Sequence, residues 1–190
     1  MSKIIFENKV YKRTDYSEKE LATGEYDYCK FHDCNFSNSD LSNFTFVECV
    51  FDNCNFSIAK IKNTALKDVK FKKCKLLGLN FNECNKFLLS FDFEDCKLKL
   101  ASFCKLKLKG TRFNNCNLQE VDFSETDLTN SIFDNCDLRR AIFQKTVLEK
   151  ADFRSSYNYS IDPEINRIKK AKFSVQGIVG LLEKYDISIE

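Results

Sequence analysis

From Phe31 onward a large apolar residue returns at every fifth position: Phe31, Phe36, Leu41, Phe46, Phe51, Phe56, Ile61, Leu66, Phe71, Leu76 and Phe81, eleven in succession. The series resumes at Phe93 and continues through Leu98, Phe103, Leu108, Phe113, Leu118, Phe123, Leu128, Phe133, Leu138, Phe143, Leu148 and Phe153. A period of five suits neither an amphipathic helix, at about 3.6 residues per turn, nor a flat strand, at about 2. The residue two places earlier is usually small or apolar, as at Cys29, Cys34, Ser39, Cys49, Cys54 and Ala59, and later at Cys96, Ala101, Thr111, Cys116, Ala141 and Ala151. Two inward positions separated by two residues belong to an extended segment. Because five is odd, a straight strand would throw the next large residue outward, so the chain must turn between one inward pair and the next. Each unit of five therefore makes one side and one corner.

A second period sets the number of sides. DCNF (Asp33 to Phe36), NCNF (Asn53 to Phe56) and KCKL (Lys73 to Leu76) recur at 20 residues, as do DCKL (Asp95 to Leu98), NCNL (Asn115 to Leu118) and NCDL (Asn135 to Leu138). Twenty residues are four units, hence a four-sided coil. Between the two sets the step is 22, which predicts two extra residues in a bulged corner within 82–90 and one continuous column of six cysteines across it. The same alignment stacks Phe31, Phe51, Phe71, Phe93, Phe113, Phe133 and Phe153 into an aromatic ladder. At about 4.8 Å per coil, roughly six and a half coils make a rod about 30 Å long. The abundance of phenylalanine (19) and cysteine (10), beside only 5 glycines, 1 proline and no tryptophan, is then the composition of this core.

The residues resemble the pentapeptide-repeat proteins, whose repeat reads A(D/N)LXX; ADFRS at Ala151 to Ser155 and VDFSE at Val121 to Glu125 follow it closely. The resemblance spans Gly24 to about Ser155 and implies an all-β fold, a right-handed quadrilateral β-helix. The chain departs from it in placing cysteine where alanine is common, and in the two-residue bulge. Both ends change character. Residues 1–28 read as an irregular leading coil or cap, 29–156 as the β-helix proper, and 157–190 as a C-terminal cap. Within that cap Ser174 is placed to start a short amphipathic α-helix over about 174–185, with Val175, Ile178, Val179, Leu182 and Tyr185 on one face. This face either plugs the rod or forms a homodimer contact, as related solenoids pair through C-terminal helices.

Chemistry has little purchase on these residues. Eight of the ten cysteines fall at inward positions that want a compact apolar side chain; Cys84, in the bulge, and Cys104, at an outward position, are the expected exposed thiols. The spacing of the cysteines and the lone His32 matches no zinc set, and no phosphate loop, dinucleotide fingerprint or H-E-x-x-H pattern occurs. The expectation is a protein that is not an enzyme, with no cofactor and no metal. No apolar run approaches the roughly 18 residues of a membrane span, and the first residues lack the apolar core of a secretion signal. The chain is expected to be cytoplasmic, with no membrane partner and with free thiols.

Function is left to the outward surface, whose charge is uneven. Residues 60–112 carry 14 Lys or Arg against 5 Asp or Glu, although the whole chain is only +2. Lys62, Lys67, Lys72, Lys99 and Lys109 fall on all four sides and form a basic girdle, not a single stripe suited to direct nucleic-acid binding. The leading reading is a solenoid acting by protein–protein contact, a homodimer whose other partner is unspecified. The family resemblance supplies an alternative, a DNA mimic that modulates DNA gyrase or topoisomerase IV and confers quinolone tolerance. Mimicry needs a dominant negative face, which the girdle interrupts.

Overall fold

The computed structural model describes residues 4–188. Its elements follow from the five-residue unit. The central large residue and the one two places before it point inward, the residues between and after them point out, and the corner residue takes a positive φ, as at Asn38, Asn43, Asn53 and Asn63. A left-handed residue lets the chain change direction within a single step, and Asn and Asp tolerate that conformation best among residues with side chains.

The first side is a four-stranded parallel sheet of β1 (Ile5–Glu7), β3 (Glu25–Asp27), β5 (Thr45–Val47) and β7 (Ala65–Lys67). The second is a seven-stranded parallel sheet of β2 (Val10–Lys12), β4 (Lys30–His32), β6 (Val50–Asp52), β8 (Val69–Lys72), β9 (Phe91–Glu94), β10 (Arg112–Asn114) and β11 (Ile132–Asp134). The third and fourth sides are held by single bridges, such as Asn35 to Asn55 and Ser102 to Asp122. The leading residues already share this register, since Phe6 pairs with Tyr26 and Tyr11 with Phe31.

Partners lie 20 residues apart as far as Ala65 with Asn85, then 22 apart from Val69 with Phe91. The two added residues therefore sit between Asn85 and Phe91. There the corner loops out, with Phe87 and Leu88 exposed and Leu89 partly buried against the core. After this loop the step returns to 20, with Phe93 opposite Phe113.

The interior is a set of vertical stacks. On the second side Tyr11, Phe31, Phe51, Phe71, Phe93, Phe113, Phe133, Phe153 and Phe173 stack with neighbouring centroids 4.5–5.5 Å apart. A second aromatic stack changes sides: Tyr16, Phe36 and Phe56 lie on the third side, then Phe81, Phe103, Phe123 and Phe143 on the fourth. Rings of adjacent stacks meet edge to face, as Phe103 and Phe113 do at 78°, the arrangement the ring quadrupole favours.

The smaller inward residue of each unit has a second task. Thr64, Thr126, Ser131, Thr146 and Ser156 each donate a side-chain hydrogen bond to a carbonyl 23 residues earlier, at 2.7–2.9 Å. Cys54, Cys74 and Cys136 make the same bond in weaker form at 3.3–3.4 Å. Cysteine fits because its thiol is nearly as apolar as alanine yet still tethers neighbouring coils.

The C-terminal segment differs from the expected α-helix. It consists of two 3-10 pieces, Gln176–Leu181 and Glu183–Tyr185. Ser174 does act at its start, its Oγ accepting from the Gly177 N–H at 3.0 Å. The tighter winding follows from two glycines packed on Tyr159: a β carbon at Gly177 would collide with the Tyr159 hydroxyl, and one at Gly180 with its backbone carbonyl. Glycine is also a poor α-helix former, so a short segment carrying two has little to resist the distortion.

Candidate interaction surfaces

The lumen is filled by the buried side chains of the stacks, so binding falls to the outside. The C-terminal 3-10 pieces lie across the end of the rod, where Leu181 and Phe173 pack on the core. Lys184 fastens them, reaching Asp162 and Glu164 at 2.7 Å each, while the Tyr185 hydroxyl donates to Glu164 at 2.9 Å. The Lys184 ammonium holds both carboxyls below their ordinary range.

Of the residues expected on the apolar face, Val175 is 84% exposed, Ile178, Val179 and Tyr185 are about half exposed, and Leu182 is half-buried. A three-residue winding aligns Val179, Leu182 and Tyr185 in one row. Leu181, which sequence spacing did not single out, is the residue that turns inward. Beside this row a groove of about 710 Å³ runs between the turns and the third side, lined by Arg139, Tyr157, Ser174, Gln176, Val179 and Asp186.

The girdle lysines do lie on all four sides, but most are matched by acids of a neighbouring coil. Lys72 meets Glu94 at 2.9 Å, Lys99 meets Glu120 at 3.2 Å and Lys109 meets Asp127 at 3.3 Å. Lys67 lies over the ring of Phe87, 5.7 Å from its centroid. Only Lys62 of the five has no such partner among the described residues. Exposed pairs of this kind contribute little stability, but they remove the girdle's free charge at those points.

The thiols need one correction. Cys84 is not exposed: it is 4% accessible, and its Sγ faces the Ile61 carbonyl at 3.7 Å. The five-residue beat runs through Leu79 to Cys84 undisturbed, and the extra residues come only after it. Burial pushes the Cys84 thiol up to about 12, as it does that of Cys49. Cys104 is half-buried on the fourth side, and the other nine cysteines are buried. His32 sits at the surface with Nδ1 3.4 Å from Asp52. Among the described residues no cluster of three metal-ligating side chains occurs, and no helix is long and apolar enough to cross a membrane.

Comparison with known proteins agrees with this architecture. Pentapeptide repeats match residues 29–68 in 8 copies, and a pentapeptide repeat region matches residues 86–153, together more than half of the chain. The chain belongs to the pentapeptide-repeat family, whose fold is the right-handed quadrilateral β-helix. Among solved structures it is similar to HetL, a pentapeptide repeat protein involved in heterocyst differentiation regulation from the cyanobacterium Nostoc sp. strain PCC 7120. That match has 15% identity and a TM-score of 0.62, over 92% of this chain and 88% of that one. It is also similar to QnrB1, a plasmid-mediated fluoroquinolone resistance protein, at 17% identity and a TM-score of 0.50 over 99% and 98% of the two chains. No curated protein matches the sequence.

Proposed function

We propose that this β-solenoid is a non-enzymatic protein that works by protein–protein contact and forms a homodimer through its C-terminal turns. The observation that carries the reading is the row of exposed Val179, half-buried Leu182 and exposed Tyr185, with Val175 and Ile178 beside it, across the capped end of the rod. Apolar residues grouped at one end of the rod favour burial against a like surface, and a two-fold pair would bury the same row twice. Sedimentation of the full chain tests it. A dimer that Val179→Glu converts to a folded monomer is the expected result; a monomeric parent protein at micromolar concentration would sink the dimer.

A second reading draws on the likeness to QnrB1: modulation of a type II topoisomerase with quinolone tolerance. Matched lysines such as Lys72 and Lys99 make the girdle less repulsive to such a role than its formal charge suggests. A gyrase supercoiling assay with and without quinolone decides it. Neither inhibition nor protection at micromolar protein removes this reading and leaves the first intact.

A further inference from the structure

One corner of the rod, between the third and fourth sides, changes chemistry along its length. Corner residues take a positive φ, which is costly for a side chain and most costly for a β-branched one. Near the ends of this corner column the position is held by Asn38, Glu120 and Arg140, whereas in the middle it is held by Ile58 (φ 60°), Gly78 (φ 63°) and Leu100 (φ 62°). The N–H of Ile58 donates to the Leu77 carbonyl and that of Gly78 to the Lys99 carbonyl, at 3.1 and 3.0 Å, so the three lie on consecutive coils. Ile58 is 66% exposed and Leu100 52%, and Leu77, 39% exposed, adjoins Gly78. A β carbon on Gly78 would meet no atom within 4 Å. Two apolar ridges thus frame an open notch. In the free protein Ile58 is unfavourable twice over, in its backbone and in its exposure.

The surroundings are mainly basic, and two of their lysines are unmatched. Lys75 and Lys97 face each other in register on the third side, one coil apart, and both are exposed. Lys60 borders the corner on the fourth side, in register with Asp40 of the preceding coil. Neither Lys75 nor Lys97 meets a carboxylate among the described residues, and Lys60 has Asp40 beside it without a close ion pair, whereas Lys72, Lys99, Lys105 and Lys109 each meet a carboxylate. Like charges directly opposite across a parallel bridge repel, and here the repulsion has no internal relief.

We infer that the corner formed by Ile58, Leu77, Gly78 and Leu100, with Lys60, Lys75 and Lys97 beside it, docks an acidic protein segment carrying a large apolar side chain. The apolar side chain fills the notch over Gly78 and the carboxylates meet the lysines on either side. Duplex nucleic acid would supply the charge but leave the apolar corner in water. The inference rests on the reading that the rod acts by protein contact, and it adds a flank surface distinct from the C-terminal row.

The test is fluorescence anisotropy of the full chain with a labelled Glu-Leu-Glu-Glu-Leu-Glu peptide. Saturable binding is expected, with roughly tenfold loss, equivalent to ~1.4 kcal/mol, on Ile58→Asn with Leu100→Asn, and a similar loss on Lys75→Asn with Lys97→Asn. These substitutions copy Asn38, Asn55 and Asn117 from the same columns, so the melting temperature should not fall. Peptides with Ser for Leu or Lys for Glu should not bind. No binding by the parent protein, unchanged binding by the variants, or equal binding to phosphatidylglycerol vesicles or duplex DNA overturns the assignment. If it fails while Val179→Glu still breaks the dimer, the contact reading stands and only this flank surface is lost.

Discussion

On one corner column the chain runs Asn38, Ile58, Gly78, Leu100, Glu120, while behind the same side Cys34, Cys54, Cys74, Cys96 and Cys116 continue one buried column. The middle coils and the flanking coils therefore share an interior and differ in their exterior. Inside, each side chain is constrained by the stacks above and below, so a deviation is expensive wherever it falls. Outside, a corner asks only for a residue that tolerates a left-handed turn. Apolar residues placed there gain nothing for the fold, which makes the exterior of the middle coils the informative region and the interior the uninformative one.

Thiol chemistry offers the largest contrast. Native protein treated with a thiol reagent should show one reactive cysteine, Cys104, with the other nine reacting at least about a thousandfold more slowly, because they are reached only when coils open. Burial raises the Cys104 thiol as well, so its rate should increase with pH above the ordinary thiol range. Several fast thiols would mean that the interior is less uniform than the stacks imply.

Next in size is stability. Phe113 is fully buried, with Phe93 and Phe133 stacked on it at 5.2 and 4.9 Å. Phe113→Ala should cost about 3–5 kcal/mol in urea unfolding. Lys99→Ala, which loses an exposed ion pair, should change it by less than about 0.5 kcal/mol. Comparable losses would erase the distinction between inside and outside.

Ile58→Asn sharpens the comparison on the exterior alone. Relief of the left-handed strain should raise stability by about 1 kcal/mol, read as a higher urea midpoint. A loss of stability instead would show that Ile58 serves the fold.

The smallest effect concerns the capped end. Asp162 and Glu164 have folded pKa values below their ordinary ones through Lys184. Their contribution is therefore present above the ordinary carboxylate range and is lost as pH falls through the depressed folded values. Amide exchange at 176–185 should quicken in that acidic window while the rod amides stay protected. Simultaneous release of both would tie the C-terminal turns to the rod more firmly than Lys184 alone explains.

Most of the fold was legible because the repeat is redundant: every inward position repeats the same packing problem, and Phe31 or Leu138 answers it visibly. The bulge was legible as a change of step from 20 to 22, but not its place, so Cys84 was assigned to a loop that begins only after Asn85. The C-terminal turns were misread because helical spacing of Val175, Ile178 and Val179 says nothing about Tyr159, whose ring leaves no room for side chains at 177 and 180. The apolar corner was overlooked because Ile58 and Leu100 lie 42 residues apart and look ordinary singly. A signal was present all the same, since each occupies the turn position that Asn38, Asn43 or Asn63 holds elsewhere.

The five-residue beat alone determined the four-sided coil, its stacked core and the structural role of most cysteines, because a filled narrow lumen permits few alternatives. Only the tertiary structure decided which lysines are matched, where the extra residues bulge, how the C-terminal segment winds on Tyr159, and that Ile58, Gly78 and Leu100 form one surface. Those outcomes depend on contacts between neighbouring coils and across the rod end, where residues distant in the chain compete for the same space and charge.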